Sequence, residues 1–462
     1  MEIITTQPYR FERCISSEKS SCKKLDFPDG TGDFLQISTR PFIRIGSMKK
    51  TNSVLLAYIV CFPIFFLSCY QEAPLIDNIP KPEFSSHHID YDQALQTALS
   101  FMKDESKLTR SESQVSNHYE YFVQSATRSS ANSVDVGFHV INFGNDAGYA
   151  LVANDDRATP IYAFADEGHL DMDEALKNPG FQIFMDGAIS RFTREIIGSS
   201  GLVPIIPMPD DSLGATVTIY DGNFRYVRTD VIRDTVECTV PTLWHQDMPY
   251  NMYCPLSLKN GNYVHCLAGC VAIATAQIMT YHRKPLSYNG YTIDWESISH
   301  FVPASQTDTI RYAAQTTANY IYQIALSCEM DFGVSASYSN ITKAKNAFEN
   351  WGYHVIGPVY FNTQLVTNSI DDSRPVFCVG QNSEGNTHAW VIDGYRRYGT
   401  RTTYWNAWPP FDLYKIETSE GYYYHCNWGW GRSSYCLDTF DSRNGSQYSQ
   451  YNGILYSIYY QQ

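Results

Sequence analysis

The sequence is short of basic residues, of cysteine and of long apolar runs. Thirty-four lysines and arginines stand against 48 acidic residues, a net charge of −14, which removes the basic footprint of a nucleic-acid-binding chain. Twelve cysteines in 462 residues are too few for a disulfide-stapled scaffold, so core burial must carry the stability. The most extended apolar run, Val54 to Leu67, carries Pro63 and falls short of the roughly 20 residues that span a bilayer as a helix. Charged residues make up only 18% of the chain, with 44% hydrophobic and 15% aromatic, so the chain is not disordered. A length about three times that of a 150-residue domain predicts two or three domains.

From Met48 the chain reads two lysines, the apolar run and then Leu67-Ser68-Cys69 before a polar, proline-bearing stretch. A basic start, a short apolar middle and a small residue at the cut are the parts of a secretory signal. The Leu-Ser-Cys ending resembles a bacterial lipobox, with Phe66 departing from the usual aliphatic residue, and the expectation is a signal over 48–68 with Cys69 as lipid anchor. Because such a signal is read at an N-terminus, Met48 is expected to be the working start, and residues 1–47 are an upstream extension with no function assigned. Residues 69–87, with Pro74, Pro80 and Pro82, read as a tether. The expected location is the bacterial cell envelope, or outside the cell, with the membrane reached only through the lipidated N-terminus.

Two folded segments follow. Residues 88–230 read as a small α+β unit: helical spacing over Tyr91–Met102, paired strands at Val136–Asn142 and Gly148–Ala153 around an Asn-Asp-Ala-Gly turn, and an amphipathic stretch at Phe181–Ile197. Residues 231–462 hold eight of the twelve cysteines and all eight tryptophans. Their first half predicts helices at Val271–His282, Ile310–Leu326 and Thr342–Trp351. Their second half predicts strands at Pro375–Val379, Thr387–Gly394, Tyr422–Trp428 and Gly453–Tyr459. Helices followed by antiparallel strands, without βαβ alternation, indicate an α+β fold of two lobes, one helical and one antiparallel β, with the natural site between them.

Within the second segment Gly269 permits a tight turn and Cys270 opens a helix of small apolar residues. A cysteine in a helix's first turn feels the positive end of the macrodipole and free N–H groups, which predicts a lowered pKa and a nucleophilic thiolate; a buried structural cysteine is the plainer alternative. Its base must be a histidine. His282 lies twelve residues along the same helix, about 18 Å away at 1.5 Å per residue, and cannot reach. His388 enters a strand from the polar turn Asn386-Thr387, and alternation puts His388, Trp390 and Ile392 on one face with Asp393 on the other. Asp393 is therefore not the orienting group. The block from Tyr424 through Asn427, Trp428 and Trp430 offers an amide and two indoles from a neighbouring strand.

The ordered motifs Trp244-His-Gln246, Pro249-Tyr-Asn251, Cys254-Pro255, Gly269-Cys-Val-Ala, Ala276-Gln-Ile-Met279, Tyr281-His282, His388-Ala, Val391-Ile-Asp-Gly394 and Asn427-Trp-Gly-Trp-Gly431 resemble the streptopain family of bacterial cysteine peptidases, over about 230 residues. Gly148 to Asp156 and Pro160-Ile-Tyr-Ala163 resemble that family's inhibitory propeptide. The resemblance implies a papain-like catalytic domain over 231–462, made as a zymogen with the segment 88–230 as intramolecular inhibitor. It implies Cys270 as nucleophile, His388 as general base, Gln246 in the oxyanion hole with the Cys270 N–H, Trp428 beside the histidine and Asn427 in a supporting role. No cofactor or metal is needed, and the partners implied are protein or peptide substrates. Thr387 stands where the family has a small glycine, and the run Ser335-Ala-Ser-Tyr338-Ser departs from the family's pocket, so Thr387 and Tyr338 are candidate pocket residues. Cys266 reads as a loop thiol or disulfide partner. A degenerate protease fold acting as a binding protein or adhesin, and another Cys-His acyl-transfer enzyme such as a transglutaminase or cell-wall amidase, remain as alternatives.

Overall fold

The computed structural model describes residues 87–102, 115–123, 136–197, 219–220, 225–299, 308–406, 413–440 and 453–461. All of them fall within one compact unit, Pro80–Gln462. The signal, Cys69 and nearly all of the tether lie outside the described residues. Among those described, no helix is long and apolar enough to cross a membrane.

The first segment runs α1 (Tyr91–Met102), β1 (Val115–Phe122), β2 (Gly137–Phe143), β3 (Tyr149–Ala153), β4 (Ile161–Ala165), α2 (Met172–Ala175), α3 (Pro179–Ile197), β5 (Ile219–Tyr220) and β6 (Arg225–Glu237). Next come the hairpin β7 (Leu256–Lys259) and β8 (Asn262–His265), α4 (Cys270–His282), the short pair β9 (Ser287–Tyr288) and β10 (Tyr291–Thr292), α5 (Trp295–Ser299), α6 (Asp308–Ser327) and α7 (Ile341–Asn350). The chain ends with β11 (Tyr353–Tyr360), α8 (Thr363–Asp371), β12 (Val376–Gln381), β13 (Thr387–Asn406), β14 (Leu413–Asn427), β15 (Ser433–Leu437) and β16 (Gly453–Tyr460). The expected α+β arrangement is present, with α8 interrupting the strands of the second half and short hairpins set among the helices of the first.

One antiparallel sheet runs β1-β2-β3-β4-β15-β14-β13-β12-β16-β11, with β6 joining along β13 and β5 along β6. The seam between the two segments is thus main-chain pairing, Tyr435 opposite Phe164. β13 extends well past Gly394, where the expected strand stopped, because β6 and β14 pair along its outer length from Gly394 to Trp405.

β13 is buried on both faces from His388 to Tyr395, and this positions the site. Trp390 and Ile392 join a core with α1, α3 and the strands of the first segment. Ala389 and Val391 face a second core built on α4, α6 and α7. α4 lies at the centre of that second core: every residue from Val271 to Thr280 is buried, as an all-round apolar helix requires. Full burial of Phe184 and Phe192 on α3 stabilises its seat by about 1.5–3 kcal/mol for each ring.

Candidate active site

Gly269 turns the chain into α4 with φ 92°, a conformation L side chains avoid. A Cβ there would also lie 2.1 Å from Met330 Cε. Glycine is thus called for chiefly by this φ, the flexible end of Met330 being able to give way, and it sets Cys270 at the start of α4. The N–H groups of Ala389, Val271 and Cys270 itself point at the sulfur. The β13 backbone next to His388 therefore touches the thiol, although histidine and cysteine come from opposite halves of the fold.

Cys270, His388 and Gln246 line one cavity of about 110 Å³, together with Tyr338, Thr387, Ser337, Val379 and Trp430. Gln246 is buried, its carbonyl accepting from the Ala268 N–H at 2.8 Å. Trp428 packs on Trp390 with ring centroids 5.6 Å apart, and its indole N–H donates to Ser434 Oγ at 2.9 Å. Asn427 does not touch the histidine. Its amide donates to the Thr242 carbonyl at 2.6 Å and accepts from Gln277 Nε2 at 3.1 Å, tying β14 to α4 and to the loop before Trp244. Asp393, on the opposite face, accepts from the Val240 N–H at 2.8 Å and pairs with His425 Nδ1 at 2.5 Å.

The sequence predicts a lowered pKa at Cys270; its surroundings in the structure shift it the other way. Enclosure of the sulfur raises its pKa, outweighing the three N–H groups that favour the anion. His388, only 2% exposed, is pushed down to about 4 by burial, against the opposing pull of a hydrogen bond to the Trp428 carbonyl. That carbonyl can only accept, so Nε2 at 2.7 Å carries the ring proton. A neutral imidazole and a protonated thiol that line one cavity without a hydrogen bond between them are a resting arrangement: the helix-dipole argument omitted desolvation, which dominates in a closed cleft.

The closure comes from the first segment. Pro179, the first residue of α3, lines the cavity with Cys270. A Cβ on the next residue, Gly180, would sit 2.6 Å from Trp428 Cε3 and 2.7 Å from His388 Cδ2, so α3 meets the histidine at a distance only glycine allows. Behind it, Asn382 Nδ2 donates to Gln182 Oε1 at 2.8 Å and the Ser383 N–H to Asp186 Oδ2 at 2.6 Å. A larger cavity of about 610 Å³ is lined by Gly168, Leu170 and Phe181 from the first segment and by Trp428, Trp430 and Arg432 from the second. Sequence reading missed Pro179, Gly180 and Val379 as site residues; Trp430, one of the two indoles it offered, lines the cavity. The amphipathic pattern marked α3, but nothing in it marked which end would enter a cleft more than 200 residues away.

All eight cysteines from Cys238 to Cys436 are free thiols. Cys266 is buried without a disulfide, which settles the earlier choice in favour of the loop thiol. Cys254, beside it, is pushed up to about 12 by burial.

Residues 244–435 match the Peptidase C10 family, and residues 86–192 match the Spi protease inhibitor family. The streptopain-type resemblance of the motifs and the inhibitory resemblance of the first segment are both met. Among curated proteins, the chain is 22% identical over 385 residues to a thiol protease/hemagglutinin, PrtT, of Porphyromonas gingivalis, covering 76% of this chain and 39% of that protein. It is 27% identical over 244 residues to a streptopain of Streptococcus pyogenes, covering 44% of this chain and 54% of that one. The chain thus spans about half or less of the length of these two relatives. Among solved structures, a fragment of Prevotella intermedia prointerpain A aligns with TM-score 0.48 at 18% identity, over 70% of this chain and 96% of that one. Active interpain A aligns with TM-score 0.36 at 20% identity, over 48% and 94%.

Proposed function

We propose that this chain, with its Peptidase C10 segment behind a Spi-type inhibitor segment, is a cysteine endopeptidase made as a zymogen, acting through Cys270 and His388. The carrying observation is that Cys270, at the start of α4, shares one small cavity with His388, Gln246 and the inhibitor segment's Pro179. When α3 leaves, the proton on Cys270 passes to His388, giving thiolate and imidazolium with no net exchange with solvent. The sulfur then attacks the scissile carbonyl, and Gln246 and the Cys270 N–H hold the oxyanion. The imidazolium protonates the leaving amine, and a thioester remains. Neutral imidazole draws a proton from water, whose hydroxide displaces the sulfur and releases the acid.

Gln246→Ala is expected to lower kcat about 10²- to 10³-fold, the cost of one oxyanion donor, with smaller change in KM. Peptide hydrolysis by the activated chain reads this directly. An unchanged kcat assigns the second donor elsewhere.

Latency has an acid limit. With His388 at about 4 in the closed fold and about 6.5 unfolded, the unfolded chain takes up a proton that the closed chain refuses as pH falls below 6.5. This contribution is complete above pH 6.5 and is lost toward pH 4. From pH 7 to pH 5 it removes about 2 kcal/mol of stability. Urea unfolding of the Cys270→Ala chain at both pH values, with and without His388→Asn, isolates it: the variant loses less on acidification. An equal loss in both would place the imidazole in contact with water.

The export signal over 48–68, the lipid on Cys69 and a cell-envelope or extracellular location belong to this proposal on the motif alone. So do protein or peptide substrates and the boundary near residue 230. The observation that favours a binding-protein reading is the bulk that Tyr338 and Thr387 add to the cavity. Absence of turnover after removal of the inhibitor segment would favour it.

A further inference from the structure

The inhibitor segment carries a histidine cluster that the proteolytic chemistry does not use. On β1, His118 and Glu120 stand two residues apart and so share a face. Glu120 lies directly opposite His139 on β2 in the strand register. His88, in the segment leading into α1, is held by a β-bridge to Asp155. One donor atom each from His88, Glu120 and His139 converges within 4.8 Å. His139 Nδ1 lies 3.7 Å and His88 Nε2 3.8 Å from Glu120 Oε1.

The tautomer is set for coordination. His139 is fully buried, and its Nε2 lies 2.8 Å from the Ile89 carbonyl, which can only accept. The ring proton is therefore on Nε2, and Nδ1 presents its lone pair to the cluster. A histidine whose other nitrogen donates to a backbone carbonyl is the usual arrangement around protein-bound metals. His118 Nε2 stands 3.0 Å from that lone pair. Tetrahedral zinc, with bonds of about 2.0–2.2 Å, needs donor atoms about 3.3 Å apart; His139 Nδ1 and His88 Nε2, at 3.7 and 3.8 Å from Glu120 Oε1, are a small contraction from that spacing.

We propose that His88, Glu120 and His139 form a binding site for a divalent transition metal of the zinc type, with His118 next to His139. Two or three imidazoles and one carboxylate select such an ion over calcium or magnesium, which take oxygen ligands. His118 joins once its ring proton resides on Nδ1, freeing Nε2. A bound ion ties the segment before α1 to β1 and β2 and stabilises the inhibitor domain in its folded state. The site is independent of the proteolytic reading and stands or falls separately from it.

The test uses the full chain with Cys270→Ala, stripped by chelator and titrated with cobalt(II) by absorption and with zinc(II) by calorimetry. Expected are one equivalent per chain, cobalt d–d bands without a sulfur charge-transfer band, and a melting temperature that rises with zinc. His88→Ala and Glu120→Gln, both at positions with some solvent access, should each weaken binding by about 100-fold or more, beyond the 10- to 100-fold that outer partners contribute. Cys254→Ser should leave it unchanged. Sulfur ligation, affinity left unchanged by the His88 and Glu120 substitutions, or no stoichiometric binding at about a hundred micromolar metal would each overturn the site.

Discussion

Cys270→Ala should yield a chain that folds, stays full length and hydrolyses peptides about 10⁴-fold more slowly or worse, the scale on which loss of a covalent nucleophile is felt. Among the described residues the other cysteines offer no substitute: all seven are buried, and burial pushes Cys254 and Cys328 up to about 12. His388→Ala should fall by a similar factor, because the pair acts as a unit, and Cys270→Ala/His388→Ala should be no worse than Cys270→Ala alone. Active-site titration with a thiol-directed epoxide, peptide mapping of the label, and turnover of a quenched peptide give the comparison. A double variant markedly slower than either single one would mean that His388 works outside the nucleophile's step. Undiminished processing of Cys270→Ala would show that another protease removes the inhibitor segment.

Gly180→Ala should awaken the latent chain. The added methyl meets Trp428 and His388 at 2.6 and 2.7 Å, and overpacking of this kind costs about 1–3 kcal/mol. That cost falls on the closed arrangement alone, so the open fraction rises about 5- to 150-fold. Alanine is the informative replacement because it is no worse than glycine for the helix itself; loosening then reports the seat of α3 and not its folding. The measurement is the labelling rate of Cys270 in the uncleaved chain. An unchanged rate would mean that α3 can slide away from the histidine at no cost, and that latency rests on the contacts of Gln182 and Asp186 or on the pairing of β4 with β15.

α4, the two expected helices after it, and the strands entering at Thr387 and Gly453 were legible because their periodicity is local. Gly269 before Cys270 was legible too, since a tight turn ahead of a helix calls for glycine. The outer length of β13 was not, because what makes Tyr395 to Trp405 a strand is the company of β6 and β14. The histidine cluster escaped for the same reason: His88, Glu120 and His139 meet only through strand register and a β-bridge.

The sequence alone picked out the candidates for chemistry here: a cysteine opening a helix, a histidine on a strand whose alternation turns Asp393 away, and the order of motifs around them. Only the tertiary structure decided the state of that chemistry. Whether Cys270 is a thiolate depends on the balance between desolvation and N–H groups in a cleft that Pro179 and Gly180 close. That balance is set by atoms brought together from distant parts of the chain, and no local pattern encodes it.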